Sequence, residues 1–188
     1  VVGEEVRIEV AEHTLRCVEE VDGLQAGHPP IRIEAPLGVE DTEILKWAAL
    51  YHDVGKAPTA HAGDDGEIHF YGHETLSASL AQEALARLRL SGHKIDRVCT
   101  LIRNHLRLTL LEAGPTMSDK ALRRLVHQLK YDTPLLCLLA LADRRAGGGP
   151  DFEQRLHHLE QLAARVMGVM LFEGERVISP PPLLTGDE

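Results

Sequence analysis

Apolar residues recur every three or four positions through most of the chain, a spacing typical of amphipathic α-helices. The recurring positions form four groups: Val6, Val10, Leu15 and Val18; Ile44, Leu45, Ala48 and Ala49; Leu76, Leu80, Ala84 and Leu88; and Ile95, Val98, Ile102 and Leu106. The pattern predicts an all-α fold, a bundle of about seven helices with almost no sheet.

Helix-capping residues mark the boundaries of the later helices. Ser118 is an N-cap residue before an apolar stripe, and Pro134 is placed in the first turn of a leucine-rich segment. Glycines 147–149 end that segment, which is apolar on nearly every face. A last amphipathic helix is predicted from about Asp151 to about Met170.

Two stretches rich in glycine, proline or both interrupt the helical pattern, at residues 23–40 and 57–71. In the second stretch, Asp64 and Asp65 stand between two glycines, which predicts a hairpin turn. The two aspartates can be interpreted as an acid/base pair or as turn formers, and the flanking glycines favour turn formation. From residue 174 the chain has the composition of a linker, so we expect a domain at 1–173 and a Pro-rich tail at 174–188. The tail, and a first residue other than Met, indicate a domain of a longer protein.

Composition is that of a globular protein, with 44% hydrophobic and 26% charged residues. A chain of 188 residues buries enough surface to fold without a structural metal, so a metal here would serve function. The cysteines Cys17, Cys99 and Cys137 are widely spaced and odd in number, which indicates buried thiols and a cytoplasmic protein. No apolar run is long enough for a bilayer, so no membrane partner is expected.

Charge is distributed unevenly along the chain. The net charge of −9 argues against general nucleic-acid binding. Residues 87–145, however, contain 12 Lys and Arg against 5 Asp and Glu, a net +7, while the remainder carries −16. A basic middle section suits a phosphate-bearing ligand, although each of these charges can equally belong to a solvated helix face.

Polar residues at the ends of apolar helices are the candidate ligands of a metal. His52 and Asp53 follow the apolar residues 44–50, and Asp143 follows the apolar residues 135–142. Burying such groups is costly unless a cation or hydrogen bonds satisfy them. His13 lies near the apolar face of the first helix, where a histidine packed in the core is the alternative.

His73 and His105 extend this set, since the first opens a helix and the second lies near the end of another. Ligands from five helices are what a metal site in a bundle core requires. Nitrogen and carboxylate ligands suit one or two divalent ions, and Mg, Mn, Ni, Co, Zn and Fe are all compatible with them.

The motifs of this chain resemble those of the HD superfamily of metal-dependent phosphohydrolases, whose signature is a His, a His-Asp pair and a distant Asp. The residues in those positions are His13, His52-Asp53 and Asp143. Within the superfamily the chain is most similar to the HD domain of bacterial tRNA nucleotidyltransferases, the CCA-adding enzymes, and of related poly(A) polymerase-like proteins. The matching segments are His13 to Leu15, His52 to Lys56 with Pro58-Thr59, Phe70 to Glu74, Arg87 to Ser91, Leu101 to His105 and Ala142 to Arg145.

The resemblance implies an HD-domain helical bundle that hydrolyses a phosphomonoester or a 2',3'-cyclic phosphodiester of a nucleotide or RNA, including tRNA. Asp53 and Lys56 are then catalytic, and the residues expected to contact substrate phosphate are Lys56, Arg107, Arg144 and Arg145. The chain departs from some HD nucleotidases at Lys56, where they carry Glu. It also lacks the polymerase motif of a nucleotidyltransferase head domain.

Two other functions fit the same residues. One is a non-catalytic module that positions RNA or braces a polymerase domain, for which Arg87, Arg89 and Arg97 are candidate RNA contacts. The other is a di-iron oxygenase, because some HD proteins with six such ligands carry out oxygen chemistry.

Overall fold

A computed structural model of the protein describes residues 2–26, 37–112, 118–149 and 151–179. These ranges contain nine α-helices, a 3-10 turn at Lys130–Asp132 and two short strands. In chain order the elements are α1 (Val2–Ala26), α2 (Val39–Tyr51), α3 (Lys56–Thr59), β1 (His61–Ala62), β2 (Ile68–His69), α4 (His73–Arg87), α5 (Gly92–Asn104), α6 (Leu106–Glu112), α7 (Asp119–Leu129), α8 (Thr133–Ala146) and α9 (Phe152–Ile178). The predicted all-α fold is confirmed.

Helix α8 is the centre of the bundle. All of its residues from Leu135 to Ala142 are buried, and it contacts α1, α2, α5, α6, α7 and α9. A helix that is apolar on every face has to be covered on every side. Asp143, the residue after this buried segment, therefore lies at the edge of the core, where several helices meet.

The predicted start of α7 and the predicted start and end of α8 are confirmed. The Ser118 side chain accepts a hydrogen bond from the Ala121 amide, Pro134 lies in the first turn of α8, and α8 ends before Gly147. The predicted end of the last helix near Met170 is wrong, because α9 continues to Ile178. Val177 and Ile178 pack against the core, which favours continuation of the helix past Gly174. The predicted domain division at 173/174 stays a prediction, and residues 180–188 lie outside the described ranges.

The buried face of α4 differs from the predicted one. Leu80 and Leu88 are 37% and 57% exposed, whereas Ser77, Ala78 and Ala81 are fully buried. The small side chains on this face let α5 and the turn before α3 pack close to the backbone of α4. The large apolar residues used for the prediction thus lie toward solvent. Leu15 of α1 is likewise exposed, at 61%, because α1 buries the face that carries Cys17.

Gly55 lets α4 pack closely against the turn that follows α2. A side chain at this position would place its Cβ 2.5 Å from the His73 carbonyl oxygen and 2.9 Å from the Ser77 amide nitrogen. The Gly55 amide in turn donates a hydrogen bond of 2.9 Å to the Ser77 hydroxyl. The beginning of α4 is thereby fixed beside the residues that follow α2.

The predicted hairpin is present between α3 and α4. Strands β1 and β2 are antiparallel, with His61 opposite His69. Asp65 accepts a hydrogen bond of 3.0 Å from the Glu67 amide, so its interpretation as a turn former is confirmed.

The three cysteines are free and buried, as predicted. Burial raises the pKa of the Cys137 thiol to about 12. Among the helices of the described ranges, none has the length and hydropathy needed to span a membrane.

Replacing Gly55 with Ala should lower the free energy of unfolding by about 1–3 kcal/mol, the usual cost of overpacking. Gly168→Ala in α9 is the matched control, because a Cβ there meets nothing within 4 Å. Helix propensity predicts that the control gains about 0.5–1 kcal/mol. Urea unfolding of both variants measures the difference, and a Gly55→Ala protein as stable as the wild type would contradict the close approach of α4.

Candidate metal centre

The six predicted ligands lie together in two groups that share one residue. Ligand atoms of His13, His52, Asp53 and Asp143 lie within 4.8 Å of one another, and so do those of Asp53, His73 and His105. All of these residues belong to the described part of the chain. Asp53 belongs to both groups and lies between them.

Five helices supply these side chains. His13 belongs to α1 and Asp143 to α8, while His73 is the first residue of α4. His52 is the C-cap residue of α2, with Asp53 directly after it, and His105 is the C-cap residue of α5. Helix ends direct polar side chains into a core whose walls are apolar.

The two carboxylate oxygens of Asp53 face different histidines. Its Oδ2 atom lies 3.3 Å from His52 Nε2 and 3.8 Å from His13 Nε2. Its Oδ1 atom lies 3.3 Å from His73 Nε2 and 3.6 Å from His105 Nε2. Each oxygen therefore serves one of the two groups.

Three of the histidines are oriented by the same backbone contact. The Nδ1 atoms of His52, His73 and His105 lie 2.7–2.8 Å from carbonyl oxygens three residues earlier in the chain, those of Ala49, Phe70 and Ile102. An Nδ1–H group donates to each carbonyl, which directs the Nε2 atom of each ring at the site. Metal-binding histidines are commonly held in this way.

Buried atoms without hydrogen-bond partners test whether these residues suit a metal. Among the described residues, His52 Nε2 and Asp53 Oδ1 are buried and accept or donate no hydrogen bond. Leaving such an atom unsatisfied costs about 1–3 kcal/mol. Because both atoms belong to the cluster and are ordinary metal donors, the residues fit a divalent cation.

The charges of the cluster attract a cation. Burial alone would lower the pKa of His52, but the carboxylates of Asp53 and Asp143 outweigh it and raise the pKa to about 10. Burial alone would raise the pKa of the Asp53 and Asp143 carboxyl groups. Neighbouring imidazoles hold them well below the usual range instead, chiefly that of His52 for Asp53 and that of His13 for Asp143. Both aspartates are therefore ionised at neutral pH.

The centre opens on one side. The side chains of His52, Asp53 and His105 are at most 1% exposed, whereas His13 and Asp143 are 20% and 19% exposed. The His13 Nε2 and Asp143 Oδ1 atoms are 2.9 Å apart at this opening. A solute would therefore pass this pair to reach the buried residues of the cluster.

Lys56 lies at the opening and donates a hydrogen bond of 2.6 Å from its Nζ atom to Asp53 Oδ2. Its side chain is 28% exposed. The sequence indicated that Lys56 has a role, but it did not predict that the ammonium group would contact a ligand carboxylate.

The predicted phosphate-binding arginines have different surroundings. Arg145 donates to Glu160 of α9 at 3.3 Å, and Arg107 donates to Gln128 at 2.7 Å and Asn104 at 3.1 Å. Arg144 is half-buried next to Asp143. Their role as phosphate ligands stays a prediction.

Acidic residues from elsewhere in the chain neutralise part of the basic middle section. Lys94 pairs with Glu43, Arg97 with Asp41, and Arg123 with Glu173. Arg97 also pairs with Asp132, which belongs to the middle section itself. These pairs connect helices distant in sequence. The net charge of +7 along the sequence thus overstates the positive charge that this section presents to a ligand.

Comparison with known proteins agrees with the ligand pattern. The chain is 37% identical to the A-adding tRNA nucleotidyltransferase of Deinococcus radiodurans over 147 residues, which are 77% of this chain and 32% of that protein. It is 33% identical to the CC-adding tRNA nucleotidyltransferase of Thermus thermophilus over 160 residues, 82% of this chain and 31% of that protein.

A third relative is the bifunctional uridylyltransferase/uridylyl-removing enzyme of Caulobacter vibrioides, 32% identical over 148 residues, 74% of this chain and 14% of that protein. The chain thus spans about a third or less of the length of these relatives. The model of the HD domain family matches residues 8–148, a range that includes all six clustered residues. The chain belongs to the HD domain family.

Proposed function

We propose that this domain is a metal-dependent phosphohydrolase that acts on a phosphomonoester or a 2',3'-cyclic phosphodiester of a nucleotide or an RNA end. The observation that carries the proposal is the buried cluster around Asp53, which contains donor atoms without hydrogen-bond partners and adjoins the partly exposed His13 and Asp143. Such a cluster is costly to keep in a core unless it binds a cation.

His13, His52, Asp53 and Asp143 would hold a first ion, and Asp53, His73 and His105 would hold a second. A divalent ion supplies Lewis-acid polarisation of a phosphoryl oxygen and lowers the pKa of a bound water. The imidazole and carboxylate donors suit Mg, Mn, Ni, Co, Zn or Fe.

The charge of the centre favours a phosphate ester as substrate. Asp53 and Asp143 contribute two negative charges, Lys56 contributes one positive charge, and one divalent ion would make the sum +1. A phosphate oxygen at the opening would then take the hydrogen bond that Lys56 gives to Asp53 in the structure. In this proposal Asp53 orients the reacting groups, and Arg144, Arg145 and Arg107 are further candidates for stabilising charge.

The named activities of the relatives support a nucleotide or RNA substrate. Two relatives are tRNA nucleotidyltransferases, and the Caulobacter enzyme is also named for removing uridylyl groups. Removal of a uridylyl group breaks a phosphoester bond, which is the chemistry proposed for this domain. Because the chain matches only part of each relative, transfer of nucleotides to tRNA is not proposed for it.

A non-catalytic role in positioning RNA is the second candidate. The chain matches only about a third of each tRNA enzyme, and this favours an accessory module of a larger protein. The ion pairs of Arg97 with Asp41 and Asp132 weaken it, since they tie one proposed RNA contact to the fold. The di-iron oxygenase is excluded if iron-free protein is fully active with Mg or Ni.

Replacing Asp53 with Asn should abolish binding of divalent metal at both groups, because this carboxylate is common to them. His13→Ala should lower the affinity for the first ion, and His105→Ala should lower the affinity for the second. Each loss should be about 10- to 100-fold or more, because losing even a residue that only hydrogen-bonds to a ligand has an effect of this size. Equilibrium dialysis against Mn, with elemental analysis, measures the stoichiometry. Exposed His93 provides the control variant His93→Ala. Unchanged Mn binding in Asp53→Asn would refute the assignment.

Hydrolysis of 2',3'-cyclic AMP should depend on added Mg, Mn, Ni or Co. Asp53→Ala should lower kcat/KM by about 100-fold or more, since a bound ion contributes several kcal/mol to transition-state stabilisation. Asp64→Ala, an exposed turn residue, is the matched control, and circular dichroism checks that both variants stay helical. Stoichiometric metal without turnover in the wild type would favour the RNA-positioning module.

Lys56→Met should lower kcat/KM for the same ester by about 10- to 150-fold, the value of a hydrogen bond to a charged group. Metal affinity should be unchanged or higher, because the ammonium group no longer occupies Asp53 Oδ2. Lys56→Arg should retain part of the activity. Full activity in Lys56→Met would exclude a phosphate contact at this position.

A further inference from the structure

Three aromatic rings lie together on the hairpin between α3 and α4. His61 and His69 are opposite each other in the strand pair, with ring centroids 5.6 Å apart. Tyr71 lies 5.2 Å from both rings and is nearly parallel to His69, with an interplanar angle of 6°. We call these three residues the ring cluster.

Hydrogen bonds hold the ring cluster in place. His69 Nε2 lies 3.1 and 3.0 Å from the two carboxylate oxygens of Asp65, and His69 Nδ1 lies 3.4 Å from the Tyr71 hydroxyl. A Cβ at Gly63 would lie 2.5 Å from Asp65 Oδ1 and 2.6 Å from His69 Nε2, so a larger residue at this position would displace the pair from this arrangement. The histidine ring is therefore positioned before any ligand arrives.

Tyr71 is 73% exposed. A large ring that buries little of its own surface contributes little to folding. Its open face can instead stack on another planar group, as aromatic residues of single-stranded nucleic-acid sites do.

The ring cluster adjoins the candidate metal centre. Tyr71 precedes His73 by two residues, so their Cα atoms are at most about 7.6 Å apart. Phe70, next to Tyr71, accepts the hydrogen bond from His73 Nδ1 through its carbonyl oxygen. The ring of Phe70 lies 5.9 Å from Lys56 Nζ. One short segment thus joins the ring cluster, a ligand histidine and the lysine at the opening.

The charge of the hairpin distinguishes a base from a second phosphate. Residues 61–71 contain Asp64, Asp65 and Glu67 and no lysine or arginine. Three carboxylates repel a phosphate group but not a neutral planar ring. A nucleobase fits these conditions, with its phosphate directed toward the positive charge at Lys56.

We propose that the ring cluster is a stacking platform for the nucleobase adjacent to the phosphate group bound at the candidate metal centre, with Tyr71 as the principal contact. This inference rests on the proposed function for its choice of ligand. It makes Tyr71 a substrate-binding residue that distinguishes nucleotides from other phosphate esters.

The experiment compares ligands with and without a base on the full chain loaded with Mg. Calorimetric titration with phosphonate analogues of adenosine 5'-monophosphate and of ribose 5-phosphate, which are not hydrolysed, should show tighter binding of the first. Tyr71→Ala should weaken binding of the monophosphate analogue by roughly 5- to 150-fold, the range found for loss of one stacked base. Binding of the ribose 5-phosphate analogue should not change.

Two further variants make the result specific. Tyr71→Phe keeps the ring and should bind like the wild type. Tyr131→Ala removes a tyrosine of equal exposure, 73%, outside the ring cluster and should also bind like the wild type. Equal weakening of both ligands in Tyr71→Ala, or wild-type affinity for the monophosphate analogue in that variant, would overturn the proposal.

Adenosine, which has no phosphate, separates this inference from the proposed function. Its adenine protons should shift upfield in nuclear magnetic resonance spectra with the wild type and Tyr71→Phe, and not with Tyr71→Ala. Such shifts without any phosphoester hydrolysis would support the platform and contradict the proposed function. Hydrolysis with no base-dependent binding would support the function and overturn the platform.

Discussion

The buried carboxylate of Asp53 determines the organisation of this domain. It is 1% exposed and surrounded by Nε2 atoms of four histidines, at 3.3 to 3.8 Å from its two oxygens. Keeping such a charge in a core is costly unless positive charge offsets it. The His52 imidazole and the Lys56 ammonium group supply that charge in the structure, and a metal ion would supply it in the proposed enzyme.

The rest of the fold places the other residues of the cluster around this carboxylate, most of them at the ends of helices. Apolar α8 is covered on all sides and places Asp143 beside His13, while α2 and α5 end at His52 and His105. Each of these two C-cap histidines bonds back to a carbonyl of its own helix. The same hydrogen bond therefore ends the helix and sets the ligand nitrogen. Close packing at Gly55 brings the fourth histidine, His73, to the opposite oxygen.

The sequence predicted which residues form the cluster better than it predicted packing. Polar residues at the ends of apolar segments, such as Asp143, are conspicuous because their burial needs a reason. The buried face of α4 was not predictable from Leu80 and Leu88, since Ser77, Ala78, Ala81 and Leu85 line it. The contact of Lys56 with Asp53 and the ring cluster also depend on side-chain directions and strand register, which spacing alone does not fix.

The measurement that tests the central claim most directly is an anomalous difference map from a crystal of the full chain grown with Mn. The account predicts a peak contacted by Asp53 together with His52 and Asp143, and any second peak on the side of His73 and His105. A well-ordered map with no peak at Asp53, or with Mn only at other carboxylates, would contradict it.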